Sequence, residues 1–203
     1  MLKSIIKAFA GMQERSGGVP LVYLDSAATT QKPQSVIDAI VNYYKGPQGN
    51  VHRSTHQVAS AVGAMVGAVR RQVGDFLGGA AYEEVIFTPG TTASLNLVAQ
   101  AYGHANLAPG DEVLVSAMEH HSNYLPWHIL CEKTGAQLRV IPIQEEGILD
   151  QKAYGELLSP RTKLVALTYV SNVLGFVNPL QKMIAQAHAY HAVVVVDAAQ
   201  AVP

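Results

Sequence analysis

The 203-residue sequence is poor in charge and contains a single cysteine, Cys131. Lys and Arg number 14 and Asp and Glu 15, so the formal net charge is -1, and no basic excess is available to neutralise a nucleic acid. One cysteine excludes an intramolecular disulfide framework, which makes the cytoplasm the expected compartment. No apolar run approaches the length that spans a bilayer, since the four valines at 193–196 meet Asp197 at once.

What the sequence does contain is a large apolar fraction. Hydrophobic residues make up 49% of the chain and charged residues 14%, which excludes a disordered protein and predicts a core-rich one. The segment Met1–Met12 superficially resembles a secretory signal, but Lys7 interrupts its apolar run. Its apolar residues instead share one helical face, which predicts an amphipathic N-terminal helical segment within residues 1–20. These residues are Leu2, Ile5, Ile6 and Phe9.

Short apolar runs alternate with helical segments along the chain. The runs are β-branched and show little polar alternation, which is typical of strands that are covered on both faces. They lie at 84–88, 111–117, 137–143, 163–170 and 193–197, and the helical segments at 33–44, 57–77, 91–102, 123–134, 151–158 and 179–191. Repeated βα units predict an α/β fold with a mostly parallel sheet and flanking helices. No linker interrupts residues 21–203, which we expect to belong to one domain.

Polar residues follow the predicted strands at their carboxyl ends, where open α/β sheets bind ligands. Gly90, Thr91 and Thr92 open a helix after the first strand, and free N–H groups with hydroxyls make an anion site suited to a phosphate. The alternative is that one threonine is only the N-cap of that helix. The pattern is neither a Walker loop nor a dinucleotide fingerprint, which argues against a nucleotide.

Other strand ends carry His120, Asn172 and Asp197. The adjacent His120 and His121 suit a metal pair, an acid/base group or an aromatic face for a flat ligand, and a surface histidine without a role is the simplest alternative. Asn172 is either a ligand contact or a turn former. Asp197 follows four valines and is expected to be buried, which is costly unless a cation or several donors compensate the carboxylate. An N-cap role is the alternative for Asp197.

One ligand would account for these positions together. Pyridoxal 5′-phosphate (PLP) carries a phosphate for the turn at 90–92 and a flat ring for His120. Its phenolic oxygen suits the amides of Asn172 and Gln200, and its ring nitrogen suits Asp197. A carboxylate beside that nitrogen keeps it protonated, which makes the ring an electron sink for carbanions.

The motifs that carry these residues resemble those of the class V aminotransferase superfamily. More closely, they are similar to the SUF-type cysteine desulfurases and the related selenocysteine lyases, from residue 23 to the last residue. The matching segments are YLDSAATT at 23–30, NVHRSTH at 50–56, GTT at 90–92, MEHHSN at 118–123, SN at 171–172 and VVDAAQA at 195–201.

The resemblance implies a type I fold of the PLP-dependent transferases, of which residues 21–203 form part of the large domain. It also implies roles by position. His120 stacks on the cofactor ring and assists proton transfer, which makes it the catalytic candidate of this chain. The other implied contacts are Gly90, Thr91 and Thr92 to the phosphate, Asn172 and Gln200 near the ring hydroxyl, Asp197 to the ring nitrogen, and Ala27, Ala28 and His52 near the substrate.

The activity implied by the resemblance is that of a cysteine desulfurase. Such enzymes convert L-cysteine to L-alanine and leave the sulfur as a persulfide, which an acceptor protein takes up for iron–sulfur cluster assembly. They are homodimers. The alternatives are a selenocysteine lyase or another class V enzyme, or a non-catalytic binding module. A metal protein would use the pairs His52 and His56 or His188 and His191.

The groups that react in this family have no counterpart in the sequence. The family's cofactor lysine follows a Ser-Gly-His or similar tripeptide on the strand after the Asp197 segment, and no lysine here stands in that context. Cys131 lies in a helical run and is expected to be a buried structural residue, not the persulfide nucleophile. We therefore expect the chain to be an N-terminal part of the enzyme and inactive alone. Two later strands of the family separate the 84–88 strand from the Asp197 strand, which predicts open strand edges.

Overall fold

The computed structural model describes residues 2–13, 15–51 and 55–202. The chain forms two compact units, Met1–Phe87 and Thr88–Pro203. The division predicted from the sequence, with a helical segment at 1–20 and one domain at 21–203, stays a prediction. No helix in the described ranges is both long and apolar enough to cross a membrane.

The first unit is mainly helical. Helix α1 spans Leu2–Lys7 and is followed by a 3-10 helix at Ala10–Gln13, so the predicted N-terminal helix is present in a shorter form. Strands β1 (Arg15–Ser16) and β2 (Val19–Pro20) form a small antiparallel hairpin. Its turn uses Gly17–Gly18 at φ values of 60° and 83°, a conformation that favours glycine.

Two longer helices follow in this unit, and both were predicted. Helix α2 spans Gln34–Lys45, and helix α3 spans Gln57–Phe76. His56 is the N-cap of α3, because its Nδ1 accepts a hydrogen bond from the amide of Ala59 at 3.3 Å. This role explains His56 without a metal ion.

The second unit contains a four-stranded parallel sheet. The strand order is β4-β3-β5-β6, with β3 at Glu112–Ser116, β4 at Gln137–Ile141, β5 at Thr162–Thr168 and β6 at Val193–Asp197. Thr168 pairs with Asp197 in the register, so β5 and β6 end side by side. The predicted α/β class with a parallel sheet is confirmed.

Helices cover both faces of this sheet. Helix α4 (Thr91–Val98) continues through a π-helical turn (Ala99–Gly103) into α5 (His104–Asn106), and α6 spans Leu125–Thr134. On the other face lie α7 (Gln151–Leu157) and α8 (Leu180–His188). Alternate strand residues enter the two cores: Val113, Val115, Leu164 and Ala166 face Trp127 and Leu130, and Leu114, Val165 and Leu167 face Tyr154 and Met183. Burial on both faces explains the lack of polar alternation in these strands.

The strand predicted at 84–88 is not formed. Residues Tyr82–Glu84 form a 3-10 helix, and residues 85–88 have no ladder to any described strand. Val85 is buried, but Ile86 and Phe87 are 67% and 50% exposed. An apolar run becomes a strand only when a neighbour satisfies its backbone groups, and the described residues offer none here. Strand β6 is an edge strand, as predicted from the family topology.

Gly103 allows the π-helical turn to approach α6 closely. A Cβ added at Gly103 would lie 2.2 Å from Cδ2 of Leu130, which is itself buried. Atoms at that separation overlap, so any side chain at this position displaces Leu130 from the core.

We expect Gly103→Ala to lower the free energy of unfolding by about 1–3 kcal/mol through this overlap. The matched control is Gly155→Ala in α7, where an added Cβ meets nothing within 4 Å. That substitution is expected to raise the free energy of unfolding by about 0.5–1 kcal/mol, because alanine is the better helix former. Urea denaturation followed by circular dichroism measures both changes, and equal effects would contradict the packing described.

Candidate functional site

The carboxyl ends of β3, β5 and β6 lie next to one another in the sheet. We call the edge formed by Ser116, Thr168 and Asp197, the last residues of these strands, the carboxyl edge. The loop after β3 carries His120, and helix α4 packs against the 3-10 helix His121–Asn123 in that loop. The structure therefore gathers three of the predicted loops at one edge and places α4 beside one of them.

Asp197 is a buried carboxylate at the end of β6. Its side chain is 5% exposed, and Oδ1 accepts a hydrogen bond from the amide of Ala199 at 3.0 Å. No lysine or arginine in the described ranges forms an ion pair with it. A turn follows, since Ala201 N donates to Ala198 O, so Asp197 caps a turn and not a helix. A protonated ring nitrogen would supply the missing positive charge.

The second buried carboxylate of the sheet shows the contrast. Glu112, at the amino end of β3, is bonded to Arg161 at 3.0 Å and to the Ser159 hydroxyl at 2.7 Å, and Arg139 lies 3.7 Å away. Burial acts to raise the pKa of Glu112, but these hydrogen bonds and the two guanidinium charges together hold it below its ordinary value. Glu112 is thus compensated by two guanidinium groups, whereas Asp197 has no such partner in the described ranges.

The hydroxyls of Thr88 and Ser94 hold the backbone at the start of α4. Thr88 Oγ1 lies 2.7 Å from Ser94 Oγ and donates to the carbonyl of Gly90 at 3.0 Å. Gly90 occupies the N-cap position, so neither Thr91 nor Thr92 is the N-cap. No side chain in the described ranges caps the helix, which leaves first-turn amides and the exposed hydroxyls of Thr91 and Thr92 as donors. This donor set fits a phosphate group.

His120 is exposed, and its ring is oriented by Ser122. Nδ1 accepts a hydrogen bond from the amide of Ser122 at 3.1 Å and lies 2.7 Å from its hydroxyl. Because an amide can only donate, Nδ1 is the acceptor, and the neutral ring carries its proton on Nε2. The ring of His121 packs edge-on against the ring of His120, with 6.2 Å between the two ring centroids.

The structure shows where most of the remaining predicted residues lie, and their roles stay predictions. Asn172 is exposed in a turn held by Ser171, whose hydroxyl accepts from Leu174 N at 3.2 Å, so the turn does not use the Asn172 side chain. Gln200 is half-buried in the turn after Asp197. In the first unit, Ala27 and Ala28 are exposed in a turn that begins at Asp25. His52 lies outside the described residues.

Glu119 belongs to the site and was not predicted. Its Oε1 accepts hydrogen bonds from the amide of Thr168 at 2.8 Å and from the hydroxyl of Ser116. Its Oε2 accepts one from Asn123 Nδ2 at 2.7 Å. Burial raises the pKa of Glu119 to about 7 and the charge of Asp197 adds to this, although the three hydrogen bonds act in the opposite direction. The available signal was a carboxylate directly after a buried strand, beside the histidine pair.

Asn178 is a second residue that sequence reasoning missed. It is 3% exposed, and its amide donates to the carbonyl of Thr168 at 2.8 Å and to the sulfur of Met118 at 3.2 Å. These contacts join the end of β5 to the loop after β3. Asn178 therefore binds the carbonyl of the same residue, Thr168, whose amide is bonded to Glu119.

Cys131 is buried, as predicted. It is 4% exposed within α6, and burial raises the pKa of its thiol to about 11. A thiol with such a pKa is not ionised near neutral pH, so Cys131 is unsuited to nucleophilic attack. In the described ranges, no three His, Cys, Asp or Glu side chains lie close enough to hold a metal ion.

The raised pKa of Glu119 predicts a pH-dependent stability. Between pH 4.5 and 7 the folded chain holds a proton that the unfolded chain releases, so stability falls as the pH rises through this window. We expect the free energy of unfolding of the wild type, relative to Glu119→Gln, to fall by up to about 3 kcal/mol between pH 4.5 and 8. The exposed Glu146→Gln is the control, and urea denaturation measures each difference. A wild-type difference from Glu119→Gln that is constant with pH would contradict the prediction.

Two curated relatives illustrate what the chain is similar to. A cysteine desulfurase of Klebsiella pneumoniae is 47% identical over 194 residues, which cover 96% of this chain and 48% of the relative. A probable cysteine desulfurase of Vibrio cholerae is 45% identical, over 99% of this chain and 50% of the relative. The chain thus spans about half the length of the curated relatives it matches.

Solved structures agree with this relationship. A cysteine desulfurase of Escherichia coli matches 98% of this chain and 48% of its own with a TM-score of 0.85 and 38% identity. A cysteine desulfurase of Thermococcus onnurineus matches 89% of this chain and 44% of its own with a TM-score of 0.84. The predicted type I fold of the PLP-dependent transferases is confirmed. Because the family match covers residues 22–203, the chain belongs to the aminotransferase class-V family.

Proposed function

We propose that the chain is part of a PLP-dependent cysteine desulfurase and that it binds PLP at the carboxyl edge. The observation that carries the proposal is Asp197, a buried carboxylate without a cation partner in the described ranges. The loop of His120 begins at the same edge, and α4, which has no side-chain N-cap in the described ranges, packs against that loop. The names of the relatives support the same activity.

Each residue has a distinct task in this proposal. Asp197 holds a proton on the ring nitrogen, while the first-turn amides of α4 and the hydroxyl of Thr92 bind the phosphate. His120 would stack on the ring and offer Nε2 for proton transfer, and Asn172 and Gln200 would bind the ring oxygen. When PLP is bound, its protonated ring withdraws electrons from the bonds to the amino acid's α-carbon.

The proposed reaction of the complete protein converts L-cysteine to L-alanine and leaves the sulfur as a persulfide on a protein thiol. The buried Cys131, with its raised pKa, is not that thiol. Residues Ala27, Ala28 and His52 are proposed to lie near the substrate. The proposal further includes a homodimer in the cytoplasm and transfer of the sulfur to an acceptor protein for iron–sulfur cluster assembly.

Binding of pyridoxine 5′-phosphate tests the cofactor site. This compound keeps the phosphate, phenol and ring nitrogen of PLP but has no aldehyde, so it forms no adduct with surface lysines. We expect the 203-residue chain to bind it and Asp197→Asn to weaken binding at least about tenfold, because the amide leaves the ring cation without its counter-charge. Isothermal titration calorimetry measures the affinity.

The control is Asp38→Asn on α2, which removes an exposed carboxylate of the same charge. Its affinity is expected to equal that of the wild type. Equal affinities for wild type and Asp197→Asn would show that Asp197 does not bind the ring nitrogen. Weak binding by all variants would count against a cofactor site in this chain.

Amino-acid turnover tests the proposed activity. We expect the complete protein to release alanine from L-cysteine in the presence of PLP, and Cys131→Ala to change kcat/KM by less than about twofold, because a buried structural thiol does not attack the substrate. Loss of turnover in Cys131→Ala with an unchanged circular dichroism spectrum would contradict this. A parallel assay with L-selenocysteine separates a desulfurase from a selenocysteine lyase.

A further inference from the structure

A hydrogen-bond relay of fixed direction runs beneath the His120 turn. Trp127 is fully buried, and its Nε1 donates to Asn123 Oδ1 at 3.0 Å. The indole N–H can only donate, so the oxygen of Asn123 faces Trp127 and its amide faces Glu119. That amide donates to Glu119 Oε2 at 2.7 Å. The relay therefore requires an acceptor at Oε2 of Glu119.

The other oxygen of Glu119 is bound to the sheet. Its Oε1 accepts from the Thr168 amide at the end of β5 and from Ser116 at the end of β3. The backbone amide of Asn123 donates to the carbonyl of His120 at 2.8 Å, which closes the turn between the two side chains of the relay. His120 is thus held between Glu119 and Asn123, which are bonded to each other, and Glu119 is bonded to β5.

We propose that Glu119 is a positioning residue, which fastens the turn that carries His120 to β5, beside Asp197, through the relay from Trp127 and Asn123. Its importance for catalysis rests on the proposed function, whereas the relay itself is a property of the 203-residue chain. No other carboxylate in the described ranges links this turn to the sheet.

The relay also determines where Glu119 carries a proton. Of its three partners, only the Ser116 hydroxyl can change from donor to acceptor, so Oε1 takes the proton and the bond from Asn123 to Oε2 is kept. Asp197 is the charged group that faces Glu119, and its charge helps to raise the pKa of Glu119. A cation bound to Asp197 removes that repulsion, so the pKa of Glu119 falls when the site is filled.

The first test uses Trp127, the one tryptophan of the chain, as the reporter. We expect its fluorescence emission to titrate with a midpoint near pH 7 in the wild type and not to titrate in Glu119→Gln. His128→Gln is the matched control, because His128 is next to Trp127 but outside the relay. The Trp127 emission of this variant should titrate as in the wild type. Saturating pyridoxine 5′-phosphate should move the wild-type midpoint to lower pH.

The second test reverses the polarity of the relay. In Glu119→Gln, the side-chain oxygen accepts from the Thr168 amide, so the new N–H group faces Asn123. Asn123 then loses its bond either to residue 119 or to Trp127. In the double variant Glu119→Gln/Asn123→Asp, the carboxylate accepts from both neighbours and the relay is restored. Hydrogen exchange of residues 119–124 should be faster in Glu119→Gln and return toward the wild-type rate in the double variant. The affinity for pyridoxine 5′-phosphate should fall about tenfold in the single variant and recover to within about threefold in the double variant.

The outcomes separate this inference from the proposed function. Rescue of hydrogen exchange without any binding of pyridoxine 5′-phosphate would support the relay and count against the cofactor site. Emission that titrates in Glu119→Gln as it does in the wild type, or a double variant no better than the single one, would overturn the relay. If Glu119→Gln alone does not fold, recovery of the folded state in the double variant supports the relay, and failure to recover overturns it.

Discussion

The need to compensate the charge of Asp197 determines how the carboxyl edge is organised. A carboxylate at the end of a buried strand is stable only if donors or a cation offset its loss of hydration. The chain supplies one amide, from Ala199, and no ion pair in the described ranges. Glu112 at the other end of the sheet has two arginines. A ligand with a protonated nitrogen resolves this difference, which is why the edge is the site of the proposed cofactor.

The same charge acts on Glu119. Both carboxyls lie at the carboxyl edge, and repulsion between them adds to the cost of burial, which together raise the pKa of Glu119 to about 7. Two fixed donors, the amides of Thr168 and Asn123, keep Glu119 in place whether or not it is ionised, and the Ser116 hydroxyl can reverse its role. The residue that orients the His120 turn is therefore electrostatically linked to the residue that would bind the ring nitrogen.

Much of the second unit could be predicted because its signals are local. The valine-rich runs at 111–117 and 193–197 and the helical periods between them are visible within short windows of sequence. Polar residues at strand ends pointed to His120 and Asp197. Glu119 was missed because its role depends on a hydrogen bond from Thr168, which is 49 residues away in the sequence. The parallel register of β3 and β5 brings the two residues together. The run at 84–88 has the composition of a strand, but strand formation depends on a neighbouring ladder that no local pattern reveals.

The protonation state of the ring nitrogen tests the central role of Asp197 most directly. Pyridoxine 5′-phosphate labelled with ¹⁵N in the ring can be bound to the 203-residue chain and followed by nitrogen NMR as the pH is raised. The proposed site predicts a bound nitrogen that stays protonated to a higher pH than in the free ligand, and loss of this shift in Asp197→Asn. A bound nitrogen that titrates as it does in solution would contradict the assignment of Asp197 and the cofactor site built upon it.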